Sequence, residues 1–226
     1  MAQEHLETTL DRVDTYERHN HHGQRIGSKG ERTRQLLIDV TVRLLEEHGL
    51  REVAVADVAR AAKTSPATFY VYFRGVPEVV LAALETSRQS SPLLEALMNR
   101  DWLGAGGEVA AREFVNEYTA LWAGNRTIFR IRNMAAEEGD RRFYRTRMDA
   151  ARPAMAGLVP RVELAQGAGR VPARLDPRAC IGTILMMLER LSAMGPLGTG
   201  DAESPDFESL KDAAAHALAT TLGARD

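Results

Sequence analysis

The chain has 226 residues, 44% of them hydrophobic and only 6% aromatic, with a net charge of −2. That is ample for the core of one large or two small domains, and it rules out a globally basic protein that binds nucleic acid by overall charge. Cys180 is the single cysteine, which excludes an internal disulfide and fits a reducing compartment.

No apolar run approaches the roughly 20 residues of a membrane span. The first residues are acidic and polar, unlike a signal peptide, so a cytoplasmic protein is expected. No second Cys or His stands at ligand spacing from Cys180, so no metal and no cofactor are expected.

In residues 1–27, Leu6, Leu10, Val13 and Tyr16 step by four, three and three, one stripe of a short amphipathic helix. His19, His21 and His22 follow. Such a cluster can bind a metal but is more often a polar linker. Arg25, Lys29 and Arg32 form a basic arm. It either enters a DNA minor groove, as homeodomain arms do, or is a tail without structure.

Ser28 and Glu31 have capping-box spacing and predict the start of a first helix, which runs to His48. Gly49 is expected to stop it in a left-handed conformation, with Leu50 making the accompanying apolar contact.

Residues 55–74 read as a short helix, a turn and a second short helix. Val55, Val58, Ala59 and Ala62 share a face at three- and four-residue steps. Lys63 and Thr64 break the pattern. Ser65 caps the next helix, and Pro66 takes its first position, where a missing N–H costs nothing. Phe69 and Phe73 fall on the inner face; Ala67, Thr68, Tyr70, Val71 and Tyr72 point outward.

A helix-turn-helix puts the start of its second helix into the major groove. Ala67 and the Thr68 methyl suit thymine methyls, and the Tyr70 and Tyr72 hydroxyls suit phosphate oxygens. The expected DNA-contacting set is Arg25, Lys29, Lys63, Thr64, Ser65, Pro66, Ala67, Thr68, Tyr70, Val71 and Tyr72. Taken alone, the pattern fits an ordinary helical corner equally well. From residue 24 to 76 there are nine Lys/Arg against six Asp/Glu, a local net charge of +3 that suits a phosphate backbone.

Residues 30–85 resemble the TetR family of one-component transcriptional regulators. The matching residues are Leu37, Val40, Leu44 and Leu45, then Gly49, Val55, Asp57-Val58-Ala59, Ala62, Ser65, Thr68-Phe69-Tyr70, and Tyr72-Phe73. Three positions depart from the family pattern. Ala54 stands where Ser or Thr usually caps the second helix. Lys63-Thr64 stands for Gly-Val in the turn, and Val76 for a Lys at the start of the fourth helix.

The resemblance implies an all-α fold. Residues 28–76 would form the three-helix reader, and 77–226 a larger helical domain for ligand binding and dimerisation. In function it implies a DNA-binding regulator, a repressor released by a small hydrophobic effector. An activator, or a ligand-binding protein whose reader has lapsed, are the alternatives.

Pro77 opens the fourth helix. Helical patterns follow over 108–123, 127–138 and 141–167, where Pro153 and Pro160 predict a kink or a division. Phe114, Tyr118, Trp122, Met134, Met148 and Met187, with Arg130 for a polar or anionic end, are the candidate ligand-binding residues. At helical spacing, the apolar ones are more often plain core. Asn133 and Arg145 are further candidates for the polar end.

Asp176-Pro177 and Ser204-Pro205 begin the last two helices. Ile181, Ile184, Leu185 and Leu188 on one, and Leu210, Ala214, Ala217 and Leu218 on the other, are the expected homodimer interface; the alternative is internal core. A dimer with readers about one DNA turn (~34 Å) apart requires a near-palindromic operator.

No enzyme is expected, since there is no phosphate loop, nucleophile elbow or HExxH. Glu137 and Glu138 are adjacent, and neighbours on a helix point about 100° apart.

Overall fold

The computed structural model describes residues 27–87, 92–104, 106–195 and 205–224. Among the described residues there are ten helices and no strand: α1 (Ser28–Glu47), α2 (Val55–Ala61), α3 (Pro66–Tyr72), α4 (Val76–Ser87), α5 (Pro92–Met98), α6 (Gly107–Gly124), α7 (Arg126–Glu137), α8 (Arg141–Gly167), α9 (Pro177–Met194) and α10 (Phe207–Thr221). The expected N-terminal helix, the His19/His21/His22 cluster and Arg25 lie outside the described residues. The chain divides into two compact units, Met1–Val79 and Val80–Asp226, and α4 runs through the division.

The first unit is built on α1. Leu37, Ile38, Val40 and Leu45 are buried along one side of it, and α2 adds Val58 and Ala59. Phe69 of α3 is wholly buried, and Phe73 just beyond α3 is nearly so. The guanidinium of Arg34 stands 5.3 Å from the Phe73 ring centroid, a cation–π contact that ties α1 to the end of α3.

Two expectations about α1 need correction. Ser28 lies inside the helix rather than capping it. The cap position is Gly27, which has no side chain to cap the helix. Gly49 is not left-handed either. The helix ends at His48, whose extended backbone donates its N–H to the Leu44 carbonyl.

The second unit is a helical bundle. Its core collects Leu97, Trp102, Phe114, Leu158, Val162, Ile181, Leu188 and Leu218 from α5, α6, α8, α9, α10 and the segment after α5. Despite Pro153 and Pro160, α8 is one helix of 27 residues, so the expected division is absent. Each proline forfeits one N–H bond, yet Leu158, Val162 and Ala165 of the same helix are fully buried. Packing of that stripe outweighs the missing bonds. Asp176 caps α9 as expected, accepting from the Ala179 N–H at 2.8 Å. The cap of α10 is Asp206, not Ser204, and it accepts from the Ser209 N–H at 2.9 Å.

Most of the residues expected at the dimer interface lie inside this chain. Ile181, Ile184, Leu185, Leu188, Ala214 and Leu218 are buried in this chain's own core, and Leu210 and Ala217 are half-buried against it. In the bundle α10 packs on α6 and α9, and the Leu/Ile and Ala stripes are what those contacts consume. The residues that α9 leaves exposed include Ala179, Thr183, Met186 and Arg190; those of α10 include Asp212, Ala213, His216 and Thr220.

Candidate DNA-reading helix and ligand cavity

The turn between α2 and α3 is a Schellman cap. The Thr64 N–H bonds the Ala59 carbonyl at 2.9 Å, and the Lys63 N–H bonds that of Arg60 at 3.1 Å. This closure requires a left-handed residue between them, and Lys63 supplies it with φ of 53°. Lys63 is exposed, so its ammonium is available to a phosphate.

Ser65 then caps α3, accepting from the Thr68 N–H at 3.1 Å, and its hydroxyl also pairs with that of Thr68 at 3.0 Å. Ala54 has no side-chain acceptor for the start of α2. The partial substitute is Asp57, whose carboxylate accepts the Ala54 N–H at 3.2 Å.

Ser65, Pro66, Ala67, Tyr70 and Val71 are exposed on one side of α3, and Thr64, Thr68 and Tyr72 are half-buried at its margins. Lys29 is exposed on the first turn of α1. The surface of α3 is therefore small at its start (Ala67), hydroxyl-bearing at its edges, and free of acidic residues.

In the second unit a cavity of about 380 Å³ lies among α6, α7, α8 and α9. Its wall is mainly apolar: Trp122, Phe129, Met155, Leu185 and several alanines of α8. A smaller cavity of about 170 Å³ shares Tyr118, Leu121 and Phe129 with it and is closed in part by Leu84 and Ser87 of α4.

Of the expected ligand-binding residues, Tyr118, Trp122 and Met148 line the larger cavity, and Phe114 and Tyr118 the smaller. Arg130 and Met134 are exposed and line neither; Met187 packs against the core instead. Arg145 is also exposed and is absent from both walls.

The polar end of the larger cavity belongs to residues the sequence reading passed over. Arg132 of α7 pairs with Glu189 of α9 at 2.7 Å, and Arg147 of α8 donates its Nε to the other oxygen of Glu189 at 3.0 Å. The Arg132 guanidinium lies 4.9 Å from the Phe129 ring centroid and 5.8 Å from that of Trp122, and its Nε bonds Asn133 at 2.9 Å. Burial lowers its pKa, while Glu189 opposes that shift.

A signal for Arg132 existed. It lies four residues after Ile128 and three before Ala135, on the buried stripe, whereas Arg130 is two positions round the helix from it. Tyr118 is half-buried in the walls of both cavities. That burial, helped by the negative Glu189, pushes its pKa to about 12, so the phenol stays neutral and keeps its proton to donate.

Two family models match the chain: "Bacterial regulatory proteins, tetR family" over residues 37–83 and "Tetracyclin repressor-like, C-terminal domain" over residues 93–202. The chain belongs to the TetR family. It is thus a DNA-binding transcriptional regulator, and the helix-turn-helix of α2 and α3 lies inside the first match.

A curated relative, the HTH-type transcriptional regulator AqdR of Rhodococcus erythropolis, is 36% identical over 70 residues, which is 31% of this chain and 34% of that protein's length. Among solved structures, the fatty acid degradation regulator FadR from Bacillus halodurans superposes with a TM-score of 0.59 at 18% identity, covering 82% of this chain and 94% of its own. FadR from Bacillus subtilis, solved in complex with stearoyl-CoA, gives 0.60 at 15% identity, covering 81% and 96%. A TetR-family regulator from Streptomyces coelicolor gives 0.60 at 18%, covering 83% and 79%. At these identities the superpositions establish the shared TetR fold. The family and these neighbours are regulators, not enzymes. Among the described residues, no single helix is long and apolar enough to cross a membrane.

Proposed function

We propose that this TetR-family regulator is a cytoplasmic, ligand-responsive repressor. It binds a near-palindromic operator as a homodimer and is released when a small hydrophobic effector fills the cavity of its second unit. The observation that carries the reading is that cavity, a largely apolar space of about 380 Å³ with one charged cluster in its wall. Its size and its few convergent polar groups suit a small molecule. The B. subtilis neighbour crystallised with stearoyl-CoA supports a ligand with an apolar tail.

Lys63, Ser65, Pro66, Ala67, Thr68, Tyr70, Val71 and Tyr72 are the DNA-contacting set, with Lys29, Thr64 and Arg25 flanking. The route from ligand to reader is α4. It begins at Val76, just after the reading helix, and its far end supplies Leu84 and Ser87 to the smaller cavity. A ligand that favours one placement of α4 shifts the population of reading-competent dimers. For the dimer, the exposed face of α9, with Ala179, Thr183 and Met186, replaces the buried residues first expected.

The test is a gel shift of the purified protein on DNA from just upstream of its own gene, beside a scrambled control, across a salt series. Specific retardation that weakens with salt supports the reading. Equal binding to scrambled DNA across several candidate promoters overturns it.

A further inference from the structure

Glu189 sits between two arginines from different helices, in the wall of an otherwise apolar cavity. A buried ion pair is a poor device for stability, because desolvating its members offsets most of their attraction. The cluster is also unbalanced. Two guanidinium groups face one carboxylate, and the next acid, Glu137, approaches Arg147 only to 3.9 Å with 72% of its side chain exposed. Asp149, in the wall of the smaller cavity, is paired with Arg152. The cavity end therefore carries excess positive charge, with the neutral Tyr118 hydroxyl beside it. The guanidinium of Arg132 lies within cation–π range of two aromatic rings and its Nε bonds Asn133, contacts that hold it in place if the carboxylate leaves.

We propose that the effector is an amphipathic monoanion, a carboxylate on a medium-length apolar tail, and that Glu189 is a built-in stand-in for its head. The tail lies along Trp122, Met155 and Leu185. The head takes the place of the Glu189 carboxylate on Arg132 and Arg147, making the same charge-assisted, two-oxygen contacts. The Glu189 side chain, 14% exposed and about one helical turn from the exposed Met186, swings outward. Binding thus exchanges one carboxylate for another, and the apolar tail supplies the net gain. This assignment rests on the ligand-responsive reading above and specifies its effector class.

The experiment is calorimetric titration of the full-length protein with sodium decanoate, 1-decanol and decyltrimethylammonium, each below its aggregation threshold. It is repeated on Glu189→Gln and Arg147→Met, with thermal melts to confirm folding. The expected order is decanoate tighter than decanol by about tenfold or more, with no binding of the cation. Glu189→Gln removes the competitor and tightens decanoate by about tenfold; Arg147→Met weakens it by a similar factor and leaves decanol unchanged.

Equal affinity for acid and alcohol in the wild-type protein overturns the proposal, and so does the absence of decanoate binding. The head-group comparison needs no variant, so it stands even if a substitution unfolds the chain. A parallel gel shift separates the two claims. If decanol releases DNA as well as decanoate does, the repressor reading stands and the anion site falls. If decanoate binds selectively and releases nothing, the anion site stands and the repressor reading falls.

Discussion

Phe69 and Tyr70 are neighbours on α3 whose rings meet edge to face at 85°, one fully buried and the other 48% exposed. The division between them separates the side of the helix that holds the fold from the exposed side, proposed above to meet DNA. Phe69→Ala empties a core position and should cost roughly 3–5 kcal/mol of stability. Tyr70→Ala and Thr68→Ala should leave the core unchanged and weaken operator binding by about 1–3 kcal/mol each. Because the Thr68 hydroxyl pairs with the Ser65 cap, Thr68→Ala should also lower the melting temperature slightly, and Tyr70→Ala should not. Chemical denaturation beside quantitative gel shifts separates these effects. A stable Phe69→Ala protein would show that the two faces are interchanged.

Lys63 holds a left-handed conformation that costs a non-glycine residue roughly 1–2 kcal/mol. Lys63→Gly relieves that strain, and the greater freedom of glycine in the unfolded chain takes part of the gain back. The expected net effect is a stabilisation of about 0.5–1 kcal/mol, read from urea midpoints. If Lys63 also meets a phosphate, the same variant binds DNA more weakly and its salt slope falls by about one. A variant that is more stable and binds with an unchanged salt slope would remove Lys63 from the DNA-contacting set.

Much of this was legible in the sequence because the signals were local. Ser65-Pro66 announces the cap of α3, and the four-residue step from Phe69 to Phe73 announces its inner face. Asp176-Pro177 announces α9. What the sequence hid was non-local. The Ile181, Ile184 and Leu188 stripe looks the same whether it meets a second copy or the chain's own α6 and α10; only the packing decides. Arg132 was hidden because arginine on a helix is ordinarily a solvent residue. Its partner Glu189 on α9 lies 57 positions away, beyond any periodicity. Gly49 reads as a left-handed stop by residue type alone, but α1 ends at His48 through an extended residue instead.

Asp140 caps α8, accepting from the Arg142 N–H at 2.9 Å and from its guanidinium at 2.7 Å. The Arg142 side chain first, and the backbone N–H bonds after it, lower the Asp140 pKa below its usual value. A carboxylate depressed in the folded state adds stability that is fully present above its unfolded pKa of about 3.9, and that is lost as pH falls through the folded value. Asp140→Ala should therefore cost about 1 kcal/mol at neutral pH. The gap from wild type should close below the unfolded pKa. A gap that persists undiminished in strong acid would assign the loss to helix propensity rather than to the charged cap.

Gly195 ends α9 with φ of 59° and ψ of −165°, a backbone conformation open essentially to glycine alone. A Cβ there would also overlap the Arg126 guanidinium, which donates to the Met194 carbonyl at 3.2 Å. Gly195→Ala should destabilise the protein by about 1–3 kcal/mol. Adding Arg126→Ala removes the overlap but not the backbone strain, so the double variant should recover only part of the loss. Full recovery would place the whole cost in the side-chain clash.

Tyr118 gives the cavity a signature at high pH. Its phenol is held neutral to about pH 12 by burial and by Glu189, whereas in the unfolded chain it ionises near 10. The raised value reverses the direction seen for Asp140. The stability is fully present below pH 10 and is lost as pH climbs towards 12, because only the unfolded chain releases the proton in that window. Wild type should lose roughly 1–3 kcal/mol more than Tyr118→Phe over that range, as measured by urea denaturation at stepped pH. On the proposed binding mode the same neutral phenol is available to donate to the ligand head, so Tyr118→Phe should weaken decanoate more than decanol. If the two proteins lose stability in parallel up to pH 12, the Tyr118 hydroxyl is solvated in the folded state, and the cavity end it marks is open to water.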